Sequence, residues 1–585
     1  MKRHILIALG AAGLLTLASC GEDFLYKAPQ GSIDQAALTN EQGTELLVIN
    51  AYAYLTAYEG YENMFNWVFG GLYGGDCNKG SDVNDQSVLN SVETYSISPS
   101  NDYLLVKWRE TYRGVKRCNL AITVLNEAED VDATTKAIRI GEMKFLRTLH
   151  YFEGVKMFSS KGVPYIDEVM AAEENDPKVH NGVDIYPQLL ADIDDAINAL
   201  PETQPEVGRA NKTAAKALKA KMLMQQGDLA SAKPILKDII ENGLSPKGER
   251  LALQDDLNNN FNALTENGKE SIFEVQFSVG ANNNGNAGMC LNYPHNSGPG
   301  GCCGFDQPSN ELANSFQVDA NGLPYLNFEY RQHPEKPVSI RQDTEDALSV
   351  LDNSIAVDPR LDFTMGRFGI PYKDWGLPRK DWVRDVNNGG IYMPKKHVYT
   401  KGMQDNGLAG SSYTDGWAPG SAMNLQYLSL RDCKLLYAEC LANDGELAAA
   451  MAQVNDIRRR AGLDVNIIKL EDGTPAANYK VSEYPASHAA FSDKETCIKA
   501  VRMERKLELA MEGQRFFDLA RWGGDYMNSE LNAFLAYERN FLNKYNGVSA
   551  PPASKTMYPI PETQIQTMGN DENGQPYLVQ PDPWK

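Results

Sequence analysis

Apolar residues recur at spacings of three and four along several stretches of the chain, and that period predicts where helices lie. Residues 41–58, 101–126, 135–158 and 184–200 carry it, and Trp108, Tyr112, Val115, Cys118, Leu120 and Ile122 form one such stripe. Two further stretches, 214–242 and 432–460, align with each other: Ala220 with Ala438, Gly227 with Gly445, Leu229 with Leu447, and Ala232 with Ala450. Each reads as helix, tight turn, helix, with small residues where the two helices approach. That is a tetratricopeptide-like unit, which stacks because one alone cannot bury its apolar face; about four are expected. Between 245 and 425 the period disappears, Gly, Asn, Pro and Trp increase, and only short strand-like runs such as 271–277 occur. The predicted fold is mainly α: a helical-repeat scaffold in two parts, 41–244 and 426–585, with a large irregular insert at 245–425, all one domain.

The stretch 502–523, RMERKLELAMEGQRFFDLARWG, adds dense opposite charge to the helical period. Glu504, Glu508 and Glu512 repeat every four residues among Arg502, Arg505, Arg515 and Arg521, with Phe516, Phe517 and Trp522 beside them. One amphipathic helix docked by ion pairs and aromatics is expected, because a buried charge without a partner is costly. Trp108 and Trp522 sit in these helical patterns and are assigned to packing.

The N-terminus changes the picture. Lys2 and Arg3 precede an apolar run from Ile5 to Ala18, and Leu17-Ala18-Ser19-Cys20 reads as a bacterial lipobox. The run falls short of the ~20 residues that a membrane-spanning helix needs. Residues 1–19 are therefore expected to be a lipoprotein signal, Cys20 the lipidated first residue, and 20–40 a tether. The composition, 42% hydrophobic and 23% charged, is that of a globular chain, and a net charge of −21 argues against a nucleic-acid partner. The other eight cysteines show no paired metal spacing. Cys118, Cys433, Cys440 and Cys497 are expected as buried small hydrophobes.

The 502–523 stretch resembles the C-terminal signature of the SusD/RagB family, matched from Arg502 to Gly523. Further resemblances follow in order: CGEDFLYKAPQGS after the lipobox, the segment from Gly141 to Pro164, PSNELANSFQVDANG, DPRLDFTMGRFG, and MYPIPETQI near the end. The resemblance implies a lipid-anchored outer-membrane protein at the cell surface. It would capture an oligo- or polysaccharide and deliver it to a SusC-like TonB-dependent transporter, touching the membrane only through its lipid and performing no chemistry.

Sugar recognition needs a flat apolar surface for the ring and fixed polar groups for the hydroxyls, and aromatics on loops supply the first. The loops carry Trp67, Tyr73, Tyr293, His295, Trp375, Trp382, Tyr392 and Trp417. The chosen glycan-binding candidates are Trp67, Asp76, Asn78, Tyr293, Cys302, Cys303, Arg367, Trp375, Trp382 and Tyr392. A disulfide between the adjacent Cys302 and Cys303 would be strained, since neighbouring Cα atoms lie ~3.8 Å apart across a trans peptide. Bridged or not, the pair is expected to border the pocket. No cofactor is expected. Asp76, Asn78, Asp82, Asn84 and Asp85 alternate like calcium ligands but lack the EF-hand glycine and closing acid, so a structural calcium elsewhere is left open. Glu508 and Glu512 could meet the spacing of a glycosidase pair, but the surrounding arginines should keep both ionised. The alternatives are the same architecture binding peptides, or a tetratricopeptide-type scaffold that binds nothing.

Overall fold

Most long helices begin where a short polar side chain can accept a hydrogen bond from an N–H of the first turn, which offsets the orphaned donors there. Asn40, Asn101, Asp132, Asn211, Asp228, Ser429 and Asp493 do this. The computed structural model describes residues 35–56, 63–174, 176–279, 291–412 and 419–585. The capped helices are α1 (Glu41–Ala53), α2 (Asp102–Glu127), α3 (Ala133–Phe158), α5 (Lys212–Gln226), α6 (Leu229–Asn242), α7 (Leu430–Asp444) and α9 (Lys494–Glu508), and α8 covers Leu447–Ala461. Glu446 before α8 makes no such side-chain bond, and α4 (Tyr186–Ala199) starts with Pro187 in its first turn.

Helices adjacent in the chain pack side by side, α2 on α3, α3 on α4, α4 on α5 and α5 on α6. Then α6 meets α7, which packs on α8 and α9, so the second set of helices continues the stack that the first began. The aligned glycines make the repeat real: Gly227 (φ +86°) and Gly445 (φ +81°) close the α5–α6 and α7–α8 turns in the left-handed region that a Cβ disfavours. Strand β2 (Ser271–Val275), at the entry to the insert, pairs antiparallel with β4 (Leu425–Ser429), at its exit. The long insert is thereby pinned at both ends. Within it, β3 (Phe305–Pro308) pairs with β1 (Cys77–Gly80) from the N-terminal part, setting Asn78 opposite Gln307. Three more two-stranded ribbons complete the strands among the described residues. One apolar core runs from Leu47 to Leu578, and a smaller one fills the space among α7, α8 and α9. Trp108 is in the large core, and Cys118, Cys433, Cys440 and Cys497 are buried free thiols.

The expected single helix over 502–523 is two. Helix α9 stops at Glu508, residues 509–514 turn, and α10 covers Arg515–Arg521. The cause is a close backbone crossing. Gly513 takes φ +65°, and a Cβ there would meet the Phe65 carbonyl oxygen at 2.2 Å. Gly70, in the buried π-helical turn Trp67–Leu72, lies against the same glycine. The Arg502 guanidinium lies over the Trp522 and Tyr526 rings, and the other charges of the stretch are paired with opposite ones. Arg360 reaches Asp358 (2.7 Å), Glu504 (2.7 Å) and Glu508 (3.0 Å); Arg458 reaches Glu504 (3.1 Å), and Arg460 pairs with Glu508 and with Glu270 (3.2 Å). Glu512 holds Arg431 (2.9 Å) and Lys396 (2.8 Å), while Arg505 bridges Asp432 (2.8 Å) and Asp518 (3.0 Å).

Burial alone would raise the Glu508 pKa, but Arg460, Arg360 and Arg431 outweigh it and hold the carboxyl at about 2. A depressed carboxylate stabilises the fold above its unfolded value, near 4.3, and that contribution disappears as pH falls towards 2. Glu508→Gln should therefore lower the unfolding free energy by about 3 kcal/mol or more at pH 7. Urea unfolding should show the gap from wild type closing between pH 5 and pH 2.

Candidate functional site

Two segments of the insert, 291–304 and 371–405, are tied together by backbone and aromatic contacts. The Cys303 N–H donates to Leu291 O (3.2 Å) and the Gly304 N–H to Tyr293 O (2.8 Å), closing the first into a loop. The His295 N–H donates to Trp382 O (2.9 Å), and Ser297 Oγ donates to the Asp381 carboxylate (2.5 Å), which also pairs with Arg379 (2.9 Å). Rings run through the junction: Tyr293 stands edge-on to Tyr399 (centroids 5.3 Å apart), and Tyr399 to Trp375 (5.9 Å). Trp375 is fixed further by its Nε1, which donates to Tyr399 O (3.0 Å). Cys302 and Cys303 form a disulfide across a cis peptide, with Cα atoms 3.1 Å apart, so the trans geometry assumed from the sequence does not apply.

Glycines decide which rings meet solvent. A Cβ on Gly300 would lie 2.3 Å from the Tyr293 ring, and one on Gly298 would lie 3.1 Å from that of Trp382. The backbone of 298–300 therefore lies against both rings, and Tyr293 and Trp382 are buried. Tyr392 is buried too. Arg367 is fully committed, its guanidinium forking onto Asp362 (2.7 and 2.5 Å) and donating to Val338 O (3.1 Å). None of these four offers a surface to a sugar ring. Trp375 and Cys302 are half-buried and keep accessible surface, with Cys303 buried behind. In the same two segments Asn296, Ser297 and Arg379 are exposed and Asp381 is half-buried. These polar neighbours, and Tyr399, were not singled out from the sequence. All lie in or next to the Gly- and Pro-broken runs already recognised as loops, but residue order does not say which side chains face out. Trp417 and Cys20 lie outside the described residues.

The early-loop candidates belong to the interior. Trp67 lies in the π-helical turn, edge-on to Phe305 (6.2 Å). Asn78 accepts from Tyr545 Oη (2.6 Å) and donates to Gly389 O (3.3 Å). Asp76 accepts from the Met511 N–H (3.3 Å) and so supports the turn between α9 and α10. The alternating acids that follow surround an ammonium group: Lys79 Nζ donates to the carbonyls of Asp82 (2.9 Å), Val83 (3.3 Å) and Asp85 (2.8 Å). Arg384 pairs with the Asp82 and Asp85 carboxylates. Cationic side chains thus take the place that the spacing suggested for calcium. Among the described residues no group of three or more His, Cys, Asp or Glu could hold a metal ion. Glu508 and Glu512, both held ionised by buried cations, supply no proton donor for glycoside hydrolysis.

The fold is a stack of paired helices whose long insert leaves two of the candidates, Trp375 and Cys302, accessible. The chain belongs to the SusD family, whose model matches residues 269–577. A second model, described as starch-binding associating with outer membrane, matches residues 32–224. SusD-like protein P25 of Formosa agariphila is 24% identical over 454 residues, covering 74% of this chain and 71% of that protein. A SusD superfamily protein from Bacteroides vulgatus shares the fold with a TM-score of 0.64 at 19% identity, covering 94% of this chain and all of that one. The surface glycan-binding protein A of Bacteroides thetaiotaomicron, solved in complex with laminarihexaose, does so with a TM-score of 0.60 at 18% identity, covering 92% and 99%. Among the described residues no helix is long and apolar enough to cross a membrane.

Burial pushes the Asp76 carboxyl up to about 6, against the lowering pull of Arg515 and Lys506. A raised carboxyl favours the folded state most below its unfolded value, near 3.9, and loses that contribution as pH rises through about 6. The stability of Asp76→Asn relative to wild type should therefore improve by on the order of 2 kcal/mol between pH 4 and pH 7. Thermal or urea unfolding at the two pH values checks this, and a ligand-contact role alone would give no such trend.

Proposed function

We propose that this protein binds a glycan at the cell surface through the face formed by Trp375 and the Cys302–Cys303 disulfide, and passes it to a TonB-dependent transporter. The observation that carries the reading is the accessibility of these two groups among otherwise buried candidates, in segments that also expose Asn296, Ser297 and Arg379. An indole and a disulfide present apolar surface to the C–H face of a sugar ring, while the amide, hydroxyl and guanidinium can meet its hydroxyls. The face is open, so contacts are few and exchange is fast, which suits a carrier that hands its ligand on. The match of residues 32–224 to a model described as associating with outer membrane supports the location, and the lipobox ending at Cys20 supports attachment through lipid. Two structural neighbours, a laminarin-binding SusD-like protein and the laminarihexaose complex, make β-glucans the first ligands to try.

The test is isothermal titration of the soluble chain, begun after Cys20, against laminarin, starch, xylan, mannan, fructan, pectin and a peptide digest. Trp375→Ala should weaken binding of the active glycan at least about tenfold, the loss of one stacking contact worth about 1.4 kcal/mol, in a variant shown to be folded at the temperature of the titration. Heat with the peptide digest alone, or unchanged affinity in Trp375→Ala, would overturn the reading.

A further inference from the structure

Helix α1 is apolar on two opposite faces. One face, Gly43, Thr44, Leu47, Val48 and Ala51, is buried where the helix packs on α2 and α3. The flank towards α3 is polar: Glu45 pairs with Arg139 (2.8 Å), and Tyr52 Oη donates to Glu142 (3.0 Å). On the far side Leu46, Ile49 and Ala53 follow one another at spacings of three and four, and all three are exposed. Leu46 keeps 54% of its surface accessible and Ile49 49%. Among the described residues no other two large exposed apolar side chains stand three or four positions apart on one helix. Single exposed leucines are ordinary, but a helix that is apolar on both faces is normally covered on both.

The chain itself supplies a cover. Residues 1–34 precede the described part, and Phe24, Leu25 and Tyr26 stand there as three large apolar side chains in succession. The first described element, the turn Gln35–Leu38, crosses α1 at Gly43, where a Cβ would meet the Leu38 backbone at 2.5 Å. The chain therefore arrives beside the first turns of the helix. Fully extended, residues 27–34 reach about 26 Å, further than the length of α1, about 20 Å, so the three side chains can lie anywhere along the exposed stripe. Charge favours the same placement. Lys27 is the only cation between Cys20 and α1. The turn from α2 to α3 exposes Glu127, Glu129 and Asp130, and it adjoins the start of α1, whose Glu41 N–H donates to the Asp130 carboxylate (3.2 Å).

We propose that the α1 stripe is the docking surface for the N-terminal segment, with Phe24, Leu25 and Tyr26 packed on Leu46, Ile49 and Ala53 and Lys27 against the acidic α2–α3 turn. The consequence rests on the lipid attachment proposed above. Docking reduces the free length between Cys20 and the folded body from residues 21–34 to residues 21–23, so the body stays close to the membrane. The docking itself depends neither on the lipid nor on the glycan face.

The test follows a reporter thiol, Ile49→Cys, in the soluble chain begun after Cys20. Its modification by a maleimide is timed and read on the peptide that carries residue 49, so that other thiols do not count. Phe24→Ser/Leu25→Ser should speed the reaction at least about tenfold, as release of a docked cover requires, while Gln30→Ser should leave the rate unchanged. Both rates should be the same at low and high protein concentration. If Ile49→Cys does not fold, Leu46→Cys takes its place with the same expectations. An unchanged rate in Phe24→Ser/Leu25→Ser, an equal effect of Gln30→Ser, or protection that grows with protein concentration, which would make the cover a second copy, would each overturn the proposal.

Discussion

Arg360, Arg458 and Arg460 meet Glu504 and Glu508 with essentially no exposed surface on any of the five, and the rest of the structure is arranged around keeping those charges paired. Removing one partner from such a set leaves an uncompensated buried charge, which costs more than the pair contributes. The partners come from four places: 358–360 and Glu270 from the insert, 458–460 from the end of α8, and α9 itself. The network therefore fixes the insert against the helical stack at the point where the apolar core is interrupted by charge. The β2–β4 pair, immediately ahead of α7, reinforces the same junction by bringing Glu270 beside Arg431 and Arg460.

From that junction the insert can afford irregular backbone. Glycines at 298 and 300 let the chain lie flat on Tyr293 and Trp382, which turns two potential ligand platforms into a support for the Cys302–Cys303 corner. Trp375 escapes the same fate because its indole nitrogen is held by Tyr399 O and its ring leans edge-on against Tyr399. The accessible face is thus a by-product of how the loops cover one another. The Lys79 ammonium, bound by three carbonyls, follows the same economy, with a side chain supplying the positive charge that loops rich in Asp often take from a metal.

Sequence periodicity located the helices well because it reports local geometry. The aligned stretches 214–242 and 432–460 became α5–α6 and α7–α8, with Gly227 and Gly445 in their turns, and Trp108 lies in the core where its stripe placed it. Periodicity did not show the break after Glu508. That break arises from Gly513 meeting Phe65 and Gly70, residues more than four hundred positions away, and from Asp76 supporting the turn. The early loop around Asp76 and Asn78 was open to a ligand-binding reading for the same reason: its partners Tyr545, Gly389 and Met511 are distant in sequence.

By itself the sequence determined the helical scaffold, its internal repeat, the charged stretch that must be buried in pairs, and the family to which the chain belongs. These follow from spacing, residue type and motif, all of which are local. Only the tertiary structure decided that Arg367, Trp382, Tyr392 and Tyr293 are interior, that Trp375 and Cys302 keep accessible surface, and that α2 shares a cleft with the C-terminal segment. Exposure of a loop side chain depends on which distant backbone crosses over it, and residue order carries no direct record of that crossing.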